Sequence, residues 1–321
     1  MTPAHVSEAE GDLFVHTRMP AWGVGLVVED QPKRRSIQFQ DGHTRTFRKG
    51  FYHLLEPWNG PTAARTEQVA ANLREAHEVL SEQEVEESRR EVTVSFGDQL
   101  RAFRAMYPGG FGGDAWVDGH RKPLGRRRAK RHVDDVLADA PQVLAKEALA
   151  PRIEASDFVG VVESLADLLS RTSLASPSHD VKPLRNLEAE GIEPTARGLF
   201  ELLHGEGAYA DRVGRWVVTL GRVGLKATWA MTSLPGALAN PVRRGVVMRR
   251  SFTEQARILR TSNGIVTPSA PAWRVAQSTL TSVEERLRSE GEEPRDRVDV
   301  AMFIDQTLRP KTVKAIEGGE L

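Results

Sequence analysis

The sequence predicts an α+β chain that is mostly α, with a small N-terminal β-barrel followed by a helical body. Three observations lead there. Residues 11–57 run in short alternating stretches broken by turn residues, the period of half-buried strands. From Pro61 onward the apolar residues recur at helical spacing instead. The chain also has no cysteine and no long uncharged apolar run, so neither disulfides nor a membrane-spanning helix organise it.

The expected strands follow in order. Leu13–His16 is the first, ended by Pro20, and Val24–Val28 is the second. The charged stretch Glu29–Arg35 turns the chain. Ser36–Gln40 then alternates with Ile37 and Phe39 inward, and Asp41-Gly42 is a strong hairpin signal. Thr44–Phe47 follows, and Phe51–Leu55 closes the unit. Strands this short and this closely spaced suit an SH3-like or Tudor-like barrel over residues 1–58. Arg34, Arg35, Arg45, Arg48 and Lys49 cluster near two hairpins. With Trp22 and Tyr52 they form the expected docking rim.

The succession Gly11-Asp12, Val15-His16, the Trp22-Gly23-Val24-Gly25 turn and Leu26–Val28, then Ile37–Phe39, Asp41-Gly42 and Thr46-Phe47, carries a resemblance. It resembles the RNA-polymerase-interacting domain of the CarD and transcription-repair coupling factor group. It is also similar to the Tudor-like tail of some bacterial superfamily-1 helicases. The resemblance covers residues 11–57 and implies a non-catalytic barrel that docks on polymerase or helicase by strand pairing.

The body divides by expectation into a helical domain over 61–175 and a C-terminal helical domain over 190–321. The Ser- and Pro-rich stretch 173–193 is the boundary or long loop between them. Pro61 suits a helix start, with Val69, Leu73, Ala76 and Leu80 as its apolar stripe. The glutamate-rich half that follows, 81–91, reads as a solvated face or an acidic connector. Ser95 and Asp98 form a capping box ahead of Leu100 and Phe103. The Pro108–Gly113 run then stops that helix; it lacks the Gly-Lys-Ser/Thr sequel of a phosphate loop. Ser156 is the expected cap of a helix carrying Val161, Val162 and Leu165, and Pro194 is the expected opening of the next. Ala208–Leu220 presents Tyr209, Val213, Trp216 and Val217 on one face. Leu234-Pro235-Gly236 is expected to end a helix begun near Leu225. A short helix follows over Phe252–Leu259, then a longer one carrying Trp273 to Leu287, and finally Asp299–Leu308.

Two basic segments interrupt the body. Residues 119–132 hold Arg121, Lys122, Arg126, Arg127, Arg128, Lys130 and Arg131 and no carboxylate. The segment 243–260 holds Arg243, Arg244, Arg249 and Arg250 among six arginines and one glutamate. Such runs neutralise phosphates without reading sequence. The formal net charge of the whole chain is +0, so any polyanion contact has to be local.

No nucleophile elbow, phosphate-binding loop, zinc-protease helix or calcium loop is present. The nearest approach to a metal constellation is His132, Asp134 and Asp135 with His179-Asp180, loosely like His-Asp phosphohydrolases. Pro177 and Pro183 flank the second pair and put it on a loop. The expected function is therefore a non-enzymatic accessory factor in transcription, repair or DNA defence. It takes no cofactor or metal and docks on DNA or RNA through the basic loops and on a protein partner through the barrel. A pure protein-interaction subunit and a divergent metal-dependent phosphohydrolase or nuclease are the alternatives. The polar, acidic N-terminus is unlike a signal peptide and agrees with a cytoplasmic setting without a membrane partner.

Overall fold

A computed structural model describes residues 12–87, 93–122, 133–260 and 267–320. The fold is α+β and mostly α. Strands β1 (Leu13–His16), β2 (Val24–Gln31), β3 (Arg34–Phe39), β4 (Thr44–Arg48) and β5 (Leu55–Pro57) form one antiparallel sheet in the order β4-β3-β2-β1-β5. Among the described residues β4 and β5 do not pair, so the sheet is open. The expected closed barrel is corrected to a curled five-stranded sheet.

Alternation gives this sheet two apolar faces. Leu13, Val24 and Leu26 point at Val69, Ala70 and Leu73 of helix α1 (Ala63–Glu87). Phe14, Ile37, Phe39, Phe47 and Leu55 fill the concave side, partly closed by Trp22 and Tyr52. A bulge between Val27 and Glu29 increases the local bend. The stretch expected as the last strand is instead a 3-10 turn, Lys49–Leu54, that leaves Phe51 exposed before the chain re-enters as β5.

The body continues with α2 (Phe96–Met106), α3 (Asp114–Trp116), α4 (Val133–Leu144), α5 (Lys146–Glu154), α6 (Phe158–Ser170), α7 (Lys182–Arg185) and α8 (Ala189–His204). It is completed by α9 (Tyr209–Arg222), α10 (Trp229–Ala239), α11 (Arg249–Ile258), α12 (Ala270–Ser289), α13 (Arg297–Thr307) and α14 (Pro310–Glu317). One apolar cluster runs from Val94 to Leu308 and includes Phe103, Trp116, Leu165, Trp216 and Phe303. Between α6 and α8 the chain makes a wide π turn, Pro177–Val181. Asp180 is buried there, accepting from the backbone N–H of Ser176 and from the Thr228 hydroxyl.

Side-chain caps set several of the helix starts. The Ser95–Asp98 capping box forms in both directions. The cap of α6 is Asp157, whose carboxylate accepts from Gly160 N–H, and not Ser156, which takes a positive φ of 59°. Helix α8 begins at Ala189, five residues before Pro194. Helix α10 runs through Leu234-Pro235-Gly236 instead of stopping there. Pro235 has no N–H to offer Met231, and the Met231 carbonyl accepts the Trp216 indole N–H at 3.0 Å instead.

The sheet and the body touch along α1 and α9. Gly23 lies where a Cβ would come within 3.1 Å of Val218, and Gly221 leaves room for Gln40. The Arg222 guanidinium donates to the Pro20 carbonyl at 3.3 Å.

Candidate nucleic-acid interface

Arg121 does not face solvent. It is 3% exposed and lies at the end of a π turn, Val117–Arg121. Its guanidinium donates twice to Asp296, at 3.1 and 2.6 Å, lies 2.8 Å from Asp134 and reaches Asp299 at 3.5 Å. Burial opposes its charge, but the three carboxylates outweigh that and raise its pKa. Burial likewise raises the pKa of Asp299, against the pull of Arg121, and the Trp116 indole N–H donates to that carboxylate at 2.9 Å. Arg121 is thus a structural ion, and its expected role as a phosphate ligand is corrected.

Lys122, the next residue, is exposed, with Asp135 3.9 Å away. Arg126, Arg127, Arg128, Lys130 and Arg131 lie outside the described residues, as does His132. The Arg121–Asp134 pair joins the chain just before that stretch to the first turn of α4 just after it.

The second basic segment arrives at the same place. The Arg297 N–H donates to the Pro241 carbonyl at 2.9 Å, and the Arg297 guanidinium donates to the Arg243 carbonyl at 3.1 Å. Arg297 follows Asp296, whose carboxylate caps α13 through the N–H groups of Val298 and Asp299. The residues 295–299 therefore hold both Arg121 and the 241–243 backbone. Arg243 is exposed and, among the described residues, has no carboxylate within ion-pair distance; the exposed Val242 precedes it.

Arg244 is half-buried, its guanidinium 3.7 Å from the centre of the Tyr209 ring. Arg212 approaches the same ring at 5.0 Å. Burial, with Arg212 and Arg243 nearby, lowers the Arg244 pKa although Tyr209 opposes the shift. Burial pushes the Tyr209 hydroxyl up to about 12. Arg249 and Arg250 begin α11; Arg250 is exposed, and Arg249 lines a different feature. That feature is a 510 Å³ cleft between sheet and body, walled by Phe39, Val69, Leu73, Val217 and Trp229.

The residues of the expected docking rim divide. Arg45 is bidentate to Asp41 at 2.8 and 2.7 Å and lies 4.0 Å over Trp22, which itself packs on His16 and Phe39. Arg35 pairs with Asp30 and sits 5.0 Å over Tyr52. Arg34 reaches Glu29 at 3.8 Å. Trp22 and Tyr52 are thus half-buried partners of arginines, not exposed stacking platforms. Arg48 and Lys49 remain exposed beside Phe51, at the end of edge strand β4.

Opposite its apolar face, α9 carries a basic face that is not among the expected sites. There Arg212, Arg215 and Arg222 recur at i, i+3 and i+10, a spacing that places them along one side of a helix. Among the described residues no group of three His, Asp or Glu side chains is arranged to hold a metal ion, and no helix is long and apolar enough to cross a membrane. Comparison with protein-family models, with curated proteins and with solved structures finds no match to this chain.

Proposed function

We propose that the protein is an accessory factor that grips nucleic acid through its basic segments and uses the N-terminal sheet to position itself on a protein partner. The observation that carries the reading is the convergence of the two basic segments on residues 295–299. Residues that lie far apart in sequence, Arg121 in the described part of the first segment and Pro241 and Arg243 at the start of the second, are tied to one helix start by Asp296 and Arg297. Scattered cations give weak binding, whereas cations gathered on one surface release several counterions together. The cations Lys122 and Arg243 stay exposed there, while Arg121 is spent on holding the surface together. For the sheet, what supports docking is the edge of β4, unpaired among the described residues, with Arg48, Lys49 and Phe51 beside it.

The test leaves Arg121 intact. Lys122, Arg126, Arg127, Arg128, Lys130, Arg131 and Arg243 are changed to alanine, and binding of labelled duplex and single-stranded DNA is followed by anisotropy across a salt series. Loss of the counterions released by these residues is expected to weaken binding by about tenfold or more and to flatten the slope of log K against log salt. Absence of binding by the unaltered protein at low salt, or an unchanged slope in the variant, sinks the reading.

A further inference from the structure

The groove between α8 and α9 holds an imbalance of charge that the fold itself does not resolve. Its cavity of about 290 Å³ is lined by Arg197, Arg212, Arg215 and Arg222, with Glu201 as its only acid. Arg197 is paired with Glu193 at 2.8 Å. The other three, among the described residues, have no carboxylate within ion-pair distance. Arg215 donates only to the Glu206 carbonyl, at 3.1 Å, and Arg222 only to that of Pro20. The Nε of Arg212 is buried and, among the described residues, has no hydrogen-bond partner, although the guanidinium lies 5.0 Å from the centre of the Tyr209 ring.

We infer that this groove is a binding site for a phosphoryl group. The three guanidinium groups left without an ion pair beside Glu201 repel one another, and burying one Nε without an acceptor adds a desolvation cost. Both are relieved by a compact multivalent oxyanion. Guanidinium forks match its geometry, and the oxygens of a phosphate supply acceptors for Arg212 and Arg215, which lie one turn apart on α9 with Arg222 further along the same groove. The floor is shaped for close approach. Gly198 sits where any Cβ would press to 3.1 Å of the Trp216 ring and 2.9 Å of Thr219, so no side chain rises there from α8. The hydroxyl of Thr219 is already committed to the Arg215 carbonyl at 3.0 Å, which leaves the arginines as the ligands. A carboxylate side chain of a partner would bring one charge to the two cations Arg212 and Arg215, so a phosphoryl group satisfies the site better.

The phosphoryl group has two possible sources, a nucleic-acid backbone or a free phosphorylated small molecule. Neither is needed for the site to exist, so the inference goes beyond the nucleic-acid surface at 295–299 and fails separately from it. Titration calorimetry of the full chain with inorganic pyrophosphate, in a buffer without phosphate or sulfate, is the direct test. One saturable site is expected. R215Q, whose side chain is exposed and holds only a carbonyl, is expected to weaken it about tenfold, and R212Q at least as much. R274Q, which removes an exposed arginine paired with Asp211 outside the groove, leaves binding unchanged. Competition by an oligonucleotide without terminal phosphates assigns the site to a backbone phosphate; its absence assigns it to a free phosphorylated molecule. No pyrophosphate binding at millimolar concentration, or equal binding by the unaltered protein and R215Q, overturns the inference. Pyrophosphate binding that survives the seven alanine changes of the preceding test shows that the two sites are distinct.

Discussion

Arg121 decides how the basic segment is held. A charge 3% exposed is tolerated only because Asp134, Asp296 and Asp299 surround it. Replacing it with alanine strands three carboxylates, one of them fully buried, and is expected to cost about 3–5 kcal/mol of stability. Urea denaturation of R121A measures this directly, and a loss below about 1 kcal/mol would mean the cluster is solvated and not structural. The same residue shows where sequence stops being legible. Its neighbours Lys122 and Arg126–Arg128 mark it as one more surface cation, while its main partner Asp296 lies 175 residues further on. Nothing local separates an arginine that meets phosphate from one that meets a distant aspartate. Arg45 and Arg35 repeat the case nearer home, since Asp41 and Asp30 each neutralise a cation that composition alone assigns to a binding rim.

At the scale of elements, periodicity was the reliable guide. The stripes Leu100–Phe103, Val161–Leu165 and Val213–Trp216–Val217 are buried as their spacing implies, and the Ser95–Asp98 box caps its helix. Local breakers misled where a tertiary partner repaired the break. Leu234-Pro235-Gly236 reads as a stop, yet α10 continues because Trp216 on α9 takes the carbonyl that Pro235 cannot serve. W216F keeps most of the apolar volume and deletes that donor, leaving the buried Met231 carbonyl unpaired. The expected loss is about 1–3 kcal/mol by chemical denaturation, with the helical circular-dichroism signal of the folded state retained. An unchanged midpoint would show that α10 bridges Pro235 without help. The arginine face of α9 is legible by the same periodicity, in Arg212, Arg215 and Arg222. The site it lines required α8 to be placed alongside, which no spacing within α9 specifies.

Across the whole molecule, α9 is the element that joins the parts. Its C-terminal turn meets the sheet at Pro20, Gly23 and Gln40, and its first turn meets Arg244 through Tyr209. Contacts of this kind imply that sheet and body unfold together, and two histidines report on it from opposite sides. His16 lies in the sheet against Trp22, and its pKa is lowered by burial first and then by Arg45 and Arg18. His204 ends α8, where its Nε2–H donates to the Leu144 carbonyl at 2.7 Å; burial lowers its pKa, although that carbonyl and Glu147 pull the other way. Both are neutral in the folded protein near neutrality, while the unfolded chain takes up their protons around the ordinary value of 6.5. Stability is therefore expected to fall as pH drops from about 6.5 through the lowered folded values, because the unfolded state binds more protons there. Urea midpoints compared at about pH 7.5 and about pH 5.5 should drop for the unaltered protein and drop less for H16Q and for H204Q, with the double variant flattest. If α9 couples the parts, each substitution moves one common transition, seen equally by tryptophan fluorescence and by helical circular dichroism. Two transitions, one responding only to H16Q and the other only to H204Q, would show that the sheet and the body are held together too weakly to fold as a unit.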